Sequence, residues 1–419
     1  MADQMIGNGI RYTEIIDPKF RSCLLMMQFY TARSAETAPA LALLTDLLTA
    51  SSAEYPGISA LSLRLDSLYA ADFSAKLSLC GDAVSLSFTA SWLDDRFALE
   101  GENITGEMLK LVTGCLMRPH AENGVFCEPE FRICRQNLLD DIDCERNDKR
   151  TYALQRAASL CFQGEPAALP PYGSRKNAEA VTPALAYRIW KQLLTAAPID
   201  VICILPEPKP VRSILTGAFA GLHRCPEAAP LFAPSPPKVK LLRETEHMAV
   251  NQSKLVMIYK YSDVPRDVMY LLNSVLGGIN QSLLFMNVRE KQSLCYYCQS
   301  HTSVLKGTLT VDCGVQNEDL EAAEHAIRMQ IELLRKGEYP RSMLNEAVLD
   351  YRRRAAIIEN SNADTAARIA DNHLFDDSRT PEEIAAALER ITPEQLSAAA
   401  NQLIPDTVYT LYAEEAMRS

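Results

Sequence analysis

Residues 225–240 read C-P-E-A-A-P-L-F-A-P-S-P-P-K-V-K, with five prolines and no apolar periodicity. Proline fixes φ and removes a backbone donor, so this stretch is expected to be a semi-rigid extended linker. On either side of it, similar elements recur in the same order. Each half has an early apolar helix, A-P-A-L-A-L-L-T-D-L-L at 38–48 and R-D-V-M-Y-L-L-N-S-V-L at 266–276. A second helix then leads into a strand whose apolar residues alternate. Val84, Leu86, Phe88 and Ala90 match Leu309, Val311, Cys313 and Val315, and a period of two marks a strand with one buried face.

Next come an amphipathic helix (Met108–Met117 or Leu320–Leu334) and a long charged one. The charged pair is F-R-I-C-R-Q-N-L-L-D-D-I-D from 131 and M-L-N-E-A-V-L-D-Y-R-R-R-A from 343. Both halves then reach a helix opening on Thr-Pro, Thr182-Pro183 and Thr392-Pro393. Threonine is a good N-cap, and proline suits the first helical position. Each half closes on a strand, V-I-C-I-L or T-V-Y-T-L-Y. The offset of about 210–230 residues is far longer than a solenoid repeat, and implies domain duplication. The expected fold is α+β: two tandem homologous domains, 1–224 and 241–419, each a mostly antiparallel sheet with helices packed on one face.

Composition sets the outer bounds. The 419 residues exceed one ordinary core. Hydrophobic content of 47% with 23% charge is that of an ordered globular chain. A net charge of −11 argues against a nucleic-acid binder, which would show a basic stripe, and leans toward basic peptides as ligands. The N-terminal text has no cationic segment followed by an apolar run, so no signal peptide is expected. No apolar run is long enough for a membrane span. Twelve cysteines at irregular spacings, often inside apolar runs, fit reduced buried thiols and a cytoplasmic protein. Within them, Cys295-Tyr-Tyr-Cys298 is a C-x-x-C. It leads into a strand, where residues three apart are expected on opposite faces, and no second pair completes a zinc knuckle. Gly277-Gly278 reads as a helix C-cap.

The segment V-R-E-K-Q-S-L-C-Y at 288–296, in this order of elements, resembles the carbonyl-gripping segment of the M16 (insulinase or pitrilysin-like) zinc peptidases. The resemblance covers nearly the whole chain. P-K-F-R at 18–21, A-E-Y-P-G at 53–57 and L-D-S-L-Y-A-A-D-F-S-A at 65–75 are most similar to a bacterial subgroup of inactive homologues. That subgroup is named for association with elongation factor P 5-aminopentanol modification. The resemblance implies a subunit of two similar domains that closes with a second subunit around a peptide. It assigns Arg289 and Tyr296 to the substrate carbonyl. An arginine fork and a phenol hydroxyl can polarise that carbonyl and stabilise the oxyanion formed when water attacks it.

The metal site of that family does not carry over. Where it writes H-x-x-E-H, this chain has Ala42-Leu-Leu-Thr45-Asp46. Aligned on A-E-Y-P-G, Ala42 and Asp46 stand at the ligand positions and Thr45 at the general base. A methyl group cannot bind metal, and a threonine hydroxyl takes no proton from water near neutral pH. The family's third ligand is a glutamate on the charged helix; the matching stretch Phe131–Arg135 has none, though Glu128 and Glu130 precede it. None of the six histidines lies within four residues of another.

The expectation is a non-catalytic subunit without a metal or cofactor of its own. Its partner is an M16 homologue carrying H-x-x-E-H and the zinc, or a second copy, and its ligand is a peptide or protein. The rival readings are a structural scaffold and a stand-alone peptidase with an unusual centre.

Overall fold

The computed structural model describes residues 3–145 and 147–414. Met1, Ala2, Arg146 and 415–419, which the sequence bounds 1–224 and 241–419 take in, lie outside the described residues. Thirteen strands are described. In the first half they are β1 (Gln4–Gly7), β2 (Ile10–Ile16), β3 (Ser22–Ala32), β4 (Asp72–Cys80), β5 (Ala83–Leu93), a short hairpin of β6 (Ala121–Glu122) and β7 (Val125–Phe126), and β8 (Ile199–Leu205). The second half has β9 (Leu242–Ala249), β10 (Ser253–Lys260), β11 (Cys295–Ser303), β12 (Thr308–Val315) and β13 (Ile404–Glu414).

The first sheet runs β1-β2-β8-β3-β5-β4, and the second, read from its far edge, runs β9-β13-β10-β12-β11. Setting β1 aside, the two orders are the same. Both contain one parallel pair, β2 with β8 and β9 with β13, and the rest is antiparallel. Identical strand order with the parallel pair at the same place is what duplication predicts.

Local signals act where the sequence puts them. The Thr182 hydroxyl accepts from Leu185 N at 3.2 Å, capping the helix Pro183–Ala196. Thr392 and Gln395 form a reciprocal capping box on Pro393–Asn401, as Thr380 and Glu383 do on Pro381–Glu389. Residues 225–240 contain no helix or strand.

The compact units are not the two contiguous halves. One unit comprises Met1–Asp143, Leu169–Leu231 and Ile358–Asp377; the other comprises Cys144–Ala168, Phe232–Ile357 and Ser378–Ser419. Each half lends one helix to the other half's sheet, and in each case it is the helix following the long charged one.

In the first unit, Cys23, Leu25, Met27 and Phe29 of β3 face the main helical layer. The residues between them, Leu24 and Met26, join Ile202 and Ile204 of β8 against Ala366, Ile369 and Ala370 of the helix Asn362–Leu374. In the second unit, Leu255, Met257 and Tyr259 of β10 face the main layer. Val256 and Ile258, with Tyr409 and Leu411 of β13, pack on Ala153, Ala157 and Cys161 of the helix Lys149–Cys161. The second face of each sheet, expected to lack helices, is therefore covered as well. Small residues on the borrowed helices allow close approach to the sheet.

Both borrowed helices are pinned near their ends. Lys149–Cys161 is capped by Asp148. Arg150 donates from Nε and Nη2 to the fully buried carboxylate of Asp312, at 2.6 and 3.2 Å, with its guanidinium 4.7 Å from the centre of the Tyr297 ring. Beyond its far end, Glu165 takes the buried Lys306 ammonium at 2.8 Å. Asn362–Leu374 is capped by Ser361; Asn362 donates to the Ser22 hydroxyl at 3.0 Å, and His373 Nδ1 lies 3.5 Å from an Asp200 carboxylate oxygen.

Asp312 has water on almost none of its surface, so its charge depends on Arg150. Arg150→Ala is expected to destabilise the chain by about 2–3 kcal/mol, toward the lower end for a broken buried pair because the arginine is partly exposed. Urea unfolding of Arg150→Ala, Asp312→Asn and the double variant checks this. The double variant should lose less than the sum of the singles.

Candidate functional site

The helix Ala38–Ala50 buries Leu41, Ala42, Leu43, Leu44, Leu47 and Leu48. Ala42 is therefore part of a packed face. Thr45 is not free to act as a base: its hydroxyl donates to the Ala42 carbonyl at 2.6 Å, and its own carbonyl accepts from Thr49 at 2.8 Å. Asp46 remains open to water. Desolvation by the protein around it, followed by the like charge of Asp141, nevertheless raises its carboxyl above the usual range.

Asp141 belongs to the charged helix Glu128–Glu145. Cys134, inside the stretch Phe131–Arg135 that the sequence aligns with the third ligand, also feels the charge of Asp46, and Asp141 lies further along the same helix. Cys134, Leu138 and Asp141 stand at i, i+4 and i+7, on one helix face. The buried Cys134 thiol is raised to about 12, chiefly by burial and then by the charge of Asp46. That shared face was the signal available in the sequence.

These residues do not fit a zinc ion. Ala42 has no donor atom, Thr45 is committed to its own helix, and Asp46 offers one carboxylate beside another. Among the described residues, Asp46, Cys134 and Asp141 do not converge closely enough to share an ion.

Arg289 and Tyr296 both belong to the second unit, on one segment whose backbone is unusual. The helix Arg266–Asn273 widens into π-helical turns at Ser274–Gly278, and a further π-helical run spans Leu284–Lys291. Such windings recur at functional sites because they re-aim side chains. Leu284 and Val288 are fully buried and fix one side of the run. Asn287 donates to Gln330 at 2.7 Å and accepts from Lys291 at 3.0 Å.

Arg289 is left on the outer side, its guanidinium 4.7 Å from the centre of the Phe285 ring and 3.6 Å from Glu290. After the run, Ser293 takes a left-handed φ of 53°, and Leu294 N donates to Val288 O at 3.2 Å. This turn delivers Tyr296 to the start of β11, the edge strand of its sheet. Tyr296 is 68% exposed, and no described residue bonds its hydroxyl.

Gly277 and Gly278 are not a left-handed helix cap, since neither has positive φ. Gly277 serves close packing: a Cβ there would stand 2.7 Å from the backbone N of Ser300 on β11 and 2.6 Å from Leu284. Any side chain would push the widened turn off the strand that carries Tyr296.

The C-x-x-C also differs from expectation. The β11–β12 register shifts between Cys295 and Tyr297, a bulge that inserts one residue. Cys295 and Cys298 consequently both enter the same core instead of pointing to opposite faces. The hydrogen bond with Cys298, followed by the charge of Arg289, holds the Cys295 thiol below its usual range.

Residues 212–349 match the family model described as "Peptidase M16 inactive domain". The "Probable inactive metalloprotease YmfF" of Bacillus subtilis is 23% identical over 410 residues, covering 95% of this chain and 94% of that protein. A conserved protein from Enterococcus faecalis V583 superposes with a TM-score of 0.90 at 24% identity, covering 99% of both chains. A peptidase M16 inactive domain from Pseudomonas fluorescens gives a TM-score of 0.77 at 19% identity, covering 98% of this chain and 97% of that one. The structural likenesses are likenesses of fold.

The raised Asp46 carboxyl has a consequence for stability. A carboxyl whose pKa is higher in the folded than in the unfolded chain favours folding below its ordinary pKa of 3.8, and that contribution is lost as pH rises through the folded value. Asp46→Asn should therefore stabilise the chain at pH 7, by up to about 1 kcal/mol because water still screens the site. The gain should vanish as pH falls through the carboxylate range. Thermal midpoints of both proteins across pH 3 to 7 check it.

Proposed function

This chain is an inactive homologue of the M16 peptidases, and from that premise we propose that it is the non-catalytic member of a peptidase pair. Its partner is an M16 subunit carrying H-x-x-E-H, which supplies the zinc, the general base and the attacking water. This chain supplies part of the peptide-binding surface, with Arg289 and Tyr296 as donors to the substrate carbonyl.

The observation that carries the reading is the state of Tyr296, seven residues after Arg289. A tyrosine that is two-thirds exposed, with its hydroxyl unclaimed by any described residue, stands where an edge strand begins. The backbone that places it is fixed by buried Leu284 and Val288 and by the close approach of Gly277. An edge strand leaves one row of backbone donors and acceptors unpaired within its sheet, so an extended peptide can lie alongside it. Among the described residues, Arg289 has as partners a neighbouring carboxylate at 3.6 Å and an aromatic ring. Its fork can turn to an incoming carbonyl without breaking a buried bond.

The same proposal excludes stand-alone peptidase chemistry at Ala42, Thr45 and Asp46, and places the chain in the cytoplasm. The latter rests on twelve unpaired thiols. No helix among the described residues is long and apolar enough to cross a membrane.

If the two donors act on the developing oxyanion, they matter to rate while leaving the fold intact. In the assembled pair, Arg289→Ala should lower kcat by about 10²-fold, since one preorganised donor is typically worth a few kcal/mol. Arg289→Lys should restore little, because a point charge does not reproduce the planar fork. Tyr296→Phe should also lose rate chiefly in kcat, whereas a residue that only anchors peptide would act through KM. Full activity for both Arg289→Ala and Tyr296→Phe would contradict the reading and favour a purely structural subunit.

A further inference from the structure

A second cluster in the first unit is not used by the function proposed above. Arg118-Pro-His120 leads into the hairpin β6–β7, turned by Asn123 and Gly124, both with positive φ (50° and 81°). Asn-Gly is the pairing such a tight turn favours. Ala121 pairs with Phe126, Glu122 pairs with Val125, and Cys127 N donates to His120 O at 3.1 Å. His120 and Cys127 are thereby set opposite one another across the base of the hairpin.

The charged helix begins at Glu128, and in its first turn Glu130 reaches back to the hairpin. One Glu130 oxygen lies 3.0 Å from His120 Nδ1. The other is buried and, among the described residues, has no hydrogen-bond partner. An orphaned, buried carboxylate oxygen is costly, and its position asks for a cation or a donor. The ligand atoms of His120, Cys127 and Glu130 all lie within 4.8 Å of one another.

We propose that His120, Cys127 and Glu130 bind one divalent cation of the zinc class, which clips the β6–β7 hairpin to the first turn of the charged helix. Mixed nitrogen, sulfur and oxygen donors select zinc over magnesium or calcium, which take oxygen alone. Two ligand atoms on one tetrahedral zinc stand roughly 3.3 Å apart, so the 3.0 Å between His120 and Glu130 needs little adjustment. Charge closes too: a dication with the Cys127 thiolate and the Glu130 carboxylate is neutral around the uncharged imidazole. A bound dication favours the thiolate over the thiol, so binding releases one proton from Cys127. A water completes the fourth position, and His120 is exposed enough to give an ion entry.

The ion would serve structure. It fixes the start of the helix that carries Cys134 and Asp141, and it involves neither Ala42 nor Asp46.

The test uses the full-length chain, stripped with chelator and titrated with cobalt(II) as a spectroscopic substitute. A thiolate-to-cobalt charge-transfer band should appear, saturate near about one equivalent, and disappear when zinc(II) is added. Cys127→Ser should abolish the band. His120→Ala should weaken cobalt binding by more than about 100-fold, beyond the effect of losing an outer-shell partner. Asp46→Ala should leave the band unchanged. Independently of any variant, zinc should protect Cys127 of the wild-type chain from alkylation while the exposed Cys144 and Cys225 stay reactive. No band at excess cobalt, a band that survives Cys127→Ser, or Cys127 alkylated equally with and without zinc would each overturn the proposal and leave an imidazole–carboxylate hydrogen bond.

Discussion

The central strands of both sheets, β3 with β8 and β10 with β13, are apolar on both faces, and each half of the chain supplies main-layer helices for only one face of its own sheet. Val256, Ile258, Tyr409 and Leu411 in one unit, and Leu24, Met26, Ile202 and Ile204 in the other, would otherwise meet water. Burying each such side chain is worth roughly 2 kcal/mol, so an uncovered face would consume most of a domain's net stability. Exchange of the helices Lys149–Cys161 and Asn362–Leu374 meets this requirement symmetrically. The rest follows from it. Arg150 with Asp312, and Asn362 with Ser22, are the polar fastenings of helices that sequence order alone would have placed elsewhere.

Within that frame the two halves carry different chemistry. In the first half the helix Ala38–Ala50 presents a methyl group, a hydroxyl bonded to its own helix and a carboxylate raised by burial and by the charge of Asp141. The second half carries a half-exposed arginine beside Glu290 and an exposed tyrosine, on a segment of widened helical turns held by buried Leu284, Val288 and Gly277. Under the proposed function, missing ligands on one side and available donors on the other are the asymmetry of a subunit that assists chemistry performed elsewhere.

Much of this was legible in the sequence, for identifiable reasons. Alternation in Val84–Ala90 and Leu309–Val315 marked the strands, and Thr182 and Thr392 marked helix starts with side chains that do cap them. The linker and the repeated order implied duplication, which the shared strand order bears out. What failed to show was tertiary. A stripe of Ala153, Ala157 and Cys161 says that a helix packs closely, and nothing in it says on which sheet. A one-residue bulge reversed the expected faces of the C-x-x-C, because strand parity holds only while the ladder is regular. Asp141 lies about two helical turns beyond Phe131–Arg135, outside the stretch the motif points to, although Cys134 within that stretch shares its face. His120, Cys127 and Glu130 were invisible to a search for histidine pairs, since a hairpin brings them together across a spacing no helical motif uses.

The central claim, that this chain completes a peptidase whose metal lies in another subunit, is most directly tested by titration. An M16 subunit with an intact H-x-x-E-H is held at fixed concentration, this chain is added, and the cleavage rate of a fluorogenic peptide is recorded. The account predicts negligible cleavage by this chain alone and a rate that rises with added chain until the two are about equimolar, then levels off. A partner rate indifferent to this chain, or chelator-sensitive cleavage by this chain alone, would contradict it.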